Sequence, residues 1–256
     1  MKILSYSDLH LEFQHEWALP PALDGDVLIL AGDIITFKEF TPLKELLRDW
    51  RKPVLFVAGN HEYYTGKPMR EHDEQFGIWL KTELPQVHFL RNEPISLGGV
   101  NFFGGTMWTD FQAGDANAMR YAATSMNDFR LIRDNGIFTP EVSRAHHWEF
   151  IDALEVWFAR QLSGPRVVIT HHAPVKNPKS QHLESPLQPA FVACDMKAVI
   201  ETHTPALWIY GHSHECDAQE LGYTRILSNQ LGYPDRMGSY ECSGTFDEYG
   251  CMVELS

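Results

Sequence analysis

Val54-Leu55-Phe56-Val57-Ala58-Gly59-Asn60-His61-Glu62 is the stretch on which the fold turns. Its first five residues are a continuous apolar run. A strand covered on both faces in a parallel sheet reads this way, whereas a half-exposed strand alternates. At Gly59 the run stops and gives way to an amide, an imidazole and a carboxylate. Four other runs end alike: Lys2 to Ser7 leads to Asp8-Leu9-His10, and Val27 to Gly32 leads to Asp33. Val167 to Thr170 leads to His171-His172, and Leu207 to Gly211 leads to His212-Ser213-His214. Ligands of open α/β sheets lie just beyond the carboxyl ends of the strands. One row of strand ends therefore brings Asp8, His10, Asp33, Asn60, His61, His171, His212 and His214 to one place.

The intervening segments carry the crossovers. Asp8, Asp33 and Asn60 are spaced as strand–helix–strand steps require. Phe37, Phe40, Leu43, Leu47 and Trp50 recur at helical spacing, and Ile78, Trp79 and Leu84 mark a second, shorter helix stopped by Pro85. Val100 to Trp108 reads as a strand with a glycine bend, and Asp115 to Met126 as a helix. Thr139-Pro140-Glu141 sets an N-cap residue before a proline at the first helical position. It opens the strongest helical pattern, with Val142, Ala145, Ile151, Leu154, Trp157, Phe158 and Leu162 on one face, up to Gly164-Pro165. A helix over Ala190 to Thr202 and a strand over Thr224–Ser228 complete the order. No repeat or linker interrupts the 256 residues, a length that suits one domain spanning 1–256.

The chain is 44% hydrophobic and 21% charged, as globular proteins are. Its net charge of −13 disfavours nucleic acid as a partner, because phosphate neutralisation needs a basic face. Bound divalent cations would make the site itself locally positive. Cys194, Cys216, Cys242 and Cys251 show no C-x-x-C or framework spacing, which implies reduced thiols and a cytoplasmic chain. No signal-peptide core follows Met1 and no apolar stretch has transmembrane length, so no membrane association is expected.

Asp8 and His10, two apart on an extended backbone, share a face and can bind one ion. Gly32-Asp33 by itself reads equally well as a turn. Gly211-His212-Ser213-His214 says more: glycine permits close backbone approach, and two histidines at i, i+2 are costly to bury without partners. All donors are oxygen or nitrogen. That set suits Mn²⁺, Fe, Co²⁺, Ni²⁺ or Zn²⁺ in open catalytic coordination rather than a closed structural zinc. Each signal is weak alone; five in one chain are not.

Together these residues resemble the calcineurin-like metallophosphoesterase superfamily, whose blocks are D-x-H, G-D, G-N-H-[DE], a lone H and G-H-x-H. They stand here in that order as Asp8-Leu9-His10, Gly32-Asp33, Gly59-Asn60-His61-Glu62, His171 and Gly211-His212-Ser213-His214. The resemblance implies an α/β fold of two facing mixed β-sheets flanked by helices. It implies that Asp8, His10 and His214 bind one divalent ion and Asn60, His171 and His212 another, with Asp33 bridging both. His61 would stand beside the phosphate as general acid or charge stabiliser, a role worth about 10²–10⁴-fold. Two ions about 3.5–4 Å apart, Mn²⁺ foremost, would clamp an in-line displacement by a bridging hydroxide on a small phosphodiester or phosphomonoester. Some phosphoprotein phosphatases carry a second aspartate after G-D; here Ile34-Ile35-Thr36 follows, which speaks against that activity.

Residues 62–170 are the segment where this superfamily varies its caps and specificity loops. Trp108-Thr109-Asp110 follows a strand there, and Asn127-Asp128-Phe129-Arg130 follows a helix. Arg130 is a candidate phosphate fork or a salt-bridge partner. His172 is expected to turn away from His171 and support it, and His182 to rim the pocket. His15, His72, His88, His146, His147 and His203 lack ligand spacing. Asn229 and Gly232-Tyr233-Pro234 read as structural punctuation, within reach of the site. A cyclic-nucleotide phosphodiesterase is one subtype of this reading. The alternatives are a nuclease, a non-catalytic interaction module that the intact ligand set disfavours, and a sugar–lipid pyrophosphatase, whose members commonly carry arginine where His61 stands. Oligomeric state is not legible.

Overall fold

The apolar runs become the strands of two sheets in a computed structural model that describes residues 1–13, 17–193 and 196–255. His15 and Cys194 lie outside the described residues. The first sheet contains β1 (Lys2–Tyr6), β2 (Val27–Ala31), β3 (Val54–Val57) and β4 (Val87–Phe89), all parallel. The second contains β5 (Glu93–Leu97), β6 (Val100–Gly105), β7 (Arg166–Thr170), β8 (Leu207–Tyr210), β9 (Asp217–Leu221) and β10 (Thr224–Ser228) in the order β5-β6-β7-β8-β10-β9. There the inner four strands are parallel, and β5 and β9 run antiparallel at the edges. β11 (Val253–Glu254) pairs antiparallel with β1 and makes the first sheet mixed as well.

Side-chain alternation explains why two sheets face one another. Val27, Ile29 and Ala31 of β2 join Leu55 and Val57 of β3, Val167 and Ile169 of β7, and Leu207 and Ile209 of β8 in one buried cluster between the sheets. The intervening residues point outward to helices. Leu28 and Leu30 pack with Leu43, Phe76 and Leu80 on one side. Val168 and Trp208 pack with Phe150, Leu154, Trp157 and Ile200 on the other. Both faces of each parallel core are thereby dry, which is what the unbroken apolar runs require. Each fully buried aliphatic or aromatic side chain contributes about 1.5–3 kcal/mol to this arrangement. Register then levels the strand ends: Tyr6 pairs with Leu30, and Ala31 with Val57. The loops after β1, β2 and β3 emerge side by side.

The helices depart from the sequence pattern in instructive ways. Of the Phe37–Trp50 repeat only Thr41–Leu46 is helical, started by Pro42 in its first turn. The second helix is longer than expected, Met69–Glu83, and buries Met69, His72, Phe76 and Leu80, while Ile78 stays exposed. Leu84 leaves the helix ahead of Pro85, because proline disfavours the α region for its predecessor. The Pro140–Phe158 helix ends short of Gly164, and its buried face includes polar Ser143 and His147 where Ala145 was expected. His147 hydrogen-bonds the Met107 carbonyl at 3.2 Å, which makes its burial tolerable. The expected helix over Ala190 to Thr202 is instead two, Gln188–Phe191 and Met196–His203, and the junction lies outside the described residues.

Candidate metal centre

The strand-end loops are bent in an unusual way. Asp8, His10, Asp33, His212 and His214 all have positive φ, between 48° and 76°. That left-handed region suits Asp and His better than most side chains, yet each such residue costs on the order of 1 kcal/mol. The surrounding contacts must over-determine them. Two glycines allow the loops to close: a Cβ on Gly59 would lie 2.6 Å from His171 Cε1, and one on Gly211 2.6 Å from Asp8 Oδ2.

The expected donors converge. Asp8, His10 and His214 present ligand atoms within 4.8 Å of one another, as do Asp33, His171 and His212. His10, Asp33 and His61 form a third such group, so Asp33 touches both sides. Asn60 Oδ1 lies 3.0 Å from His171 Nε2 and 3.0 Å from His212 Nδ1. All are buried except His214, which is half-buried. Asp8 also accepts from the His212 backbone N–H at 3.0 Å, and Asp33 from that of His61 at 2.8 Å. The first and last ligand blocks are thus cross-braced.

Charge is balanced accordingly. Burial opposes ionisation of Asp33, but the His171 and His61 imidazoles outweigh it and hold the carboxyl well below its usual range. Burial likewise disfavours the His171 imidazolium, but Asp33 carries its pKa up to about 9. His214 is similarly opposed by burial and raised to about 10 by Asp8 and Glu241. His212 is depressed by burial and by His172 and His171.

Divalent cations fit these residues. His10 Nε2 faces His214 Nε2 at 3.0 Å, and His171 Nε2 faces His212 Nδ1 at 3.2 Å. Pairs of imidazole lone pairs around carboxylates, with no thiolate among them, are the donor set of a borderline divalent ion.

His61 has both nitrogens engaged by the chain. Nδ1 contacts Glu12 Oε1 at 2.9 Å, and the Tyr233 hydroxyl lies 2.7 Å from Nε2. These two contacts fix the orientation of the ring. Burial disfavours its cation, but Asp33 and then Glu12 prevail and raise its pKa.

Several supports were not singled out from sequence. Glu12, two residues beyond His10, also contacts His10 Nδ1 at 3.2 Å. Glu62 is fully buried, and its carboxylate accepts from the backbone N–H groups of Gly59 (2.7 Å), Asp33 (2.9 Å) and Ile34 (2.8 Å). It ties the β2 and β3 loops together. Asp128 accepts from Asn60 Nδ2 at 3.0 Å and the Tyr64 hydroxyl at 2.5 Å, so that Asn60 presents its oxygen to the histidines. Glu241 contacts His214 Nδ1 and accepts from the Tyr233 N–H. Gln230 accepts from the His214 N–H at 2.5 Å. Imidazoles and amides aimed at metals are usually oriented by such partners.

Other expectations resolve individually. His172 is buried, contacts the Thr106 carbonyl through Nδ1 at 3.3 Å and packs 4.1 Å from the His212 ring, so it backs the donors. His182 packs on Phe191, which in turn lies 5.3 Å from His212. Trp108 is buried against Phe138 and His172. Asp110 caps the turn over Phe111–Gly114, accepting from the Ala113 N–H. Arg130 is exposed and forms no ion pair among the described residues, so the chemistry of its block belongs to Asp128. The Gly232-Tyr233-Pro234 turn is more than punctuation. The Tyr233 ring lies 4.4 Å from those of His10 and His214 and covers them.

Two sheets that deliver carboxylate, amide and imidazole donors to one crevice define a metal-dependent hydrolase of phosphate esters. The calcineurin-like phosphoesterase family model matches residues 1–216, and the chain belongs to that family, which works with a dinuclear metal centre. An uncharacterized protein of Acanthamoeba polyphaga mimivirus is 28% identical, over 94% of each chain. A UPF0046 protein of Caenorhabditis elegans is 36% identical over 41% of this chain and 38% of its own. The solved phosphopantetheinyl hydrolase of Mycobacterium tuberculosis superposes with a TM-score of 0.75 at 20% identity, covering 98% of this chain and 95% of that one. TT1561 of Thermus thermophilus superposes at 0.57 with 13% identity, covering 90% and 88%. These last two share the fold. Among the described residues no helix is long and apolar enough to cross a membrane.

Proposed function

We propose that this chain is a dinuclear-metal phosphoesterase acting on a small phosphodiester or phosphomonoester. Asp8, His10 and His214 would hold one divalent cation, Asn60, His171 and His212 a second, and Asp33 would serve both. The observation that carries this reading is the position of Asp33, whose carboxylate falls within ligand range of His10 on one side and of His171 and His212 on the other. Mn²⁺ is the proposed cation, because oxygen and imidazole donors without thiolate suit it. When bound, the cations would supply Lewis-acid charge to phosphate oxygens and lower the pKa of water toward neutrality.

The remaining steps belong to the chain. Glu12 accepts from His61 Nδ1 and fixes the ring, so that Nε2, which the Tyr233 hydroxyl meets at 2.7 Å, is the nitrogen on the substrate side. His61, held cationic more readily than a free imidazole, donates from Nε2 to the leaving oxygen or to a phosphoryl oxygen. We read residues 1–256 as one metallophosphoesterase domain, with 62–170 as its variable segment. Cyclic-nucleotide hydrolysis is a subtype of this reading and nuclease activity an alternative to it; the assay separates them, and the acidic balance weighs against the second.

The test is hydrolysis of bis-p-nitrophenyl phosphate and p-nitrophenyl phosphate with Mn²⁺, followed by cyclic nucleotides, dinucleotides and glycerophosphodiesters. A phosphopantetheinyl diester joins the panel because the mycobacterial fold neighbour is named for that group. Turnover should require metal and vanish in Asp33→Asn. Equal turnover by folded, metal-loaded Asp33→Asn would end the proposal.

A further inference from the structure

We infer that the substrate is a phosphate ester whose leaving alcohol carries a flat apolar body and, beyond it, a second anionic group. This rests on the phosphoesterase reading and names the substrate class of that site. A cavity of about 510 Å³ opens directly beside His61. Its walls are Phe13, Tyr64, Leu131, Tyr233 and Pro234, with Lys38 at the rim. Phe13, Leu131 and Tyr233 are 50%, 41% and 36% exposed. Large apolar side chains gathered at the mouth of a catalytic crevice mark a surface that a ligand covers.

Tyr233 shows where the leaving oxygen sits. Its hydroxyl lies 2.7 Å from His61 Nε2, where an alcohol oxygen receiving a proton from that nitrogen would stand. His61 and Tyr233 both line the cavity, so it adjoins that point. The Phe13 and Tyr233 rings meet edge to face at 5.6 Å and 87°, a corner that takes a planar group. Charge adds the second element. Among the described residues Glu12 is the one carboxylate in the lining, and it is engaged by His10 and His61. Lys38 is exposed and in no ion pair among the described residues, so the rim offers one free cation to an anion. A phosphomonoester of a small alcohol would leave the cavity empty. Tyr64 and Leu131 come from the variable segment; Phe13, Lys38, Tyr233 and Pro234 do not. Specificity is therefore shared between segments remote in sequence.

The experiment measures inhibition of bis-p-nitrophenyl phosphate hydrolysis, and thermal stabilisation of the same Mn²⁺-loaded protein, by three probes. These are methyl phosphate, 2-naphthyl phosphate and adenosine 3′,5′-bisphosphate. Affinity should rise at least about tenfold from the first to the second, equivalent to about 1.4 kcal/mol. It should rise again about threefold to the third, the scale of one exposed ion pair. Phe13→Ala and Leu131→Ala should erase the first step, and Lys38→Ala the second. Equal affinities, or steps that survive these substitutions while hydrolysis persists, overturn the inference and leave the phosphoesterase reading intact. If no ester is turned over, that reading falls, and the thermal shifts still decide whether the cavity binds as stated.

Discussion

Asp128→Asn probes the support beneath the metal centre. The substitution keeps shape and volume but removes the charge that accepts from Asn60 Nδ2 at 3.0 Å and from the Tyr64 hydroxyl at 2.5 Å. Asp128 is 2% exposed, so water cannot replace it. Hydrogen bonds to a charged acceptor contribute about 1.5–3 kcal/mol. Two are weakened here, and an amide in place of the Asp128 carboxylate can offer Asn60 its NH₂ as readily as its oxygen, which leaves the Tyr64 hydroxyl at 2.9 Å as the remaining acceptor that orients Asn60. A flipped Asn60 would turn NH₂ toward His171 and His212 and exclude a cation. Loss of a partner that orients a ligand typically lowers metal affinity about 10–100-fold, or about 1.4–2.8 kcal/mol. Mn²⁺ titration calorimetry on parent and variant measures this directly, with urea unfolding of the metal-free proteins as a control for stability. A folded variant that binds Mn²⁺ within about threefold of the parent would refute the assignment of Asn60 as a ligand held by Asp128.

Glu12→Gln should lower kcat by about 10²-fold or more with KM little changed. The loss should be larger for alkyl than for p-nitrophenyl leaving groups, because only the former need the His61 proton. Glu62→Gln should lower the urea midpoint in the metal-free protein, since each backbone N–H left facing an amide NH₂ costs about 1–3 kcal/mol. Metal binding should release about two protons per chain at pH 7. His171 and His214 are raised to about 9 and 10 in the metal-free chain and so start protonated, whereas ligation needs neutral imidazole. Affinity should therefore climb with pH up to about 10, the higher of the two values, and then level. Calorimetry in buffers of different ionisation enthalpy counts those protons, and no release would contradict the assignment.

The parallel cores were legible because unbroken runs such as Val27–Ala31 fit only strands covered on both faces. The donors were legible because their residue types at strand ends are costly to bury otherwise. The groups that orient the donors were not. Glu12 lies 49 residues from His61, Asp128 lies 68 from Asn60, and Tyr233 lies 172 from His61. Such pairs carry no local period, and an acidic residue in a loop looks the same whether it braces a ligand or faces water. A faint signal existed in Asp8-Leu9-His10-Leu11-Glu12, where the glutamate extends the alternation of the ligand pair by one more step. The Met69–Glu83 helix was underestimated because its core stripe includes His72 and its exposed face includes Ile78. Apolarity alone therefore misplaced the face. Backbone strain at Asp8, His10, Asp33, His212 and His214 has no sequence signature beyond a tolerance of Asp and His for positive φ.

Metal stoichiometry tests the central claim most directly. After loading with Mn²⁺ and removal of free ion, elemental analysis of the intact chain should find about two equivalents, as a two-metal site requires. Asp33→Asn should hold about one or fewer if its carboxylate serves both sites, as proposed. A parent chain that retains no stoichiometric transition metal, or an Asp33→Asn variant that retains as much as the parent, would contradict the account.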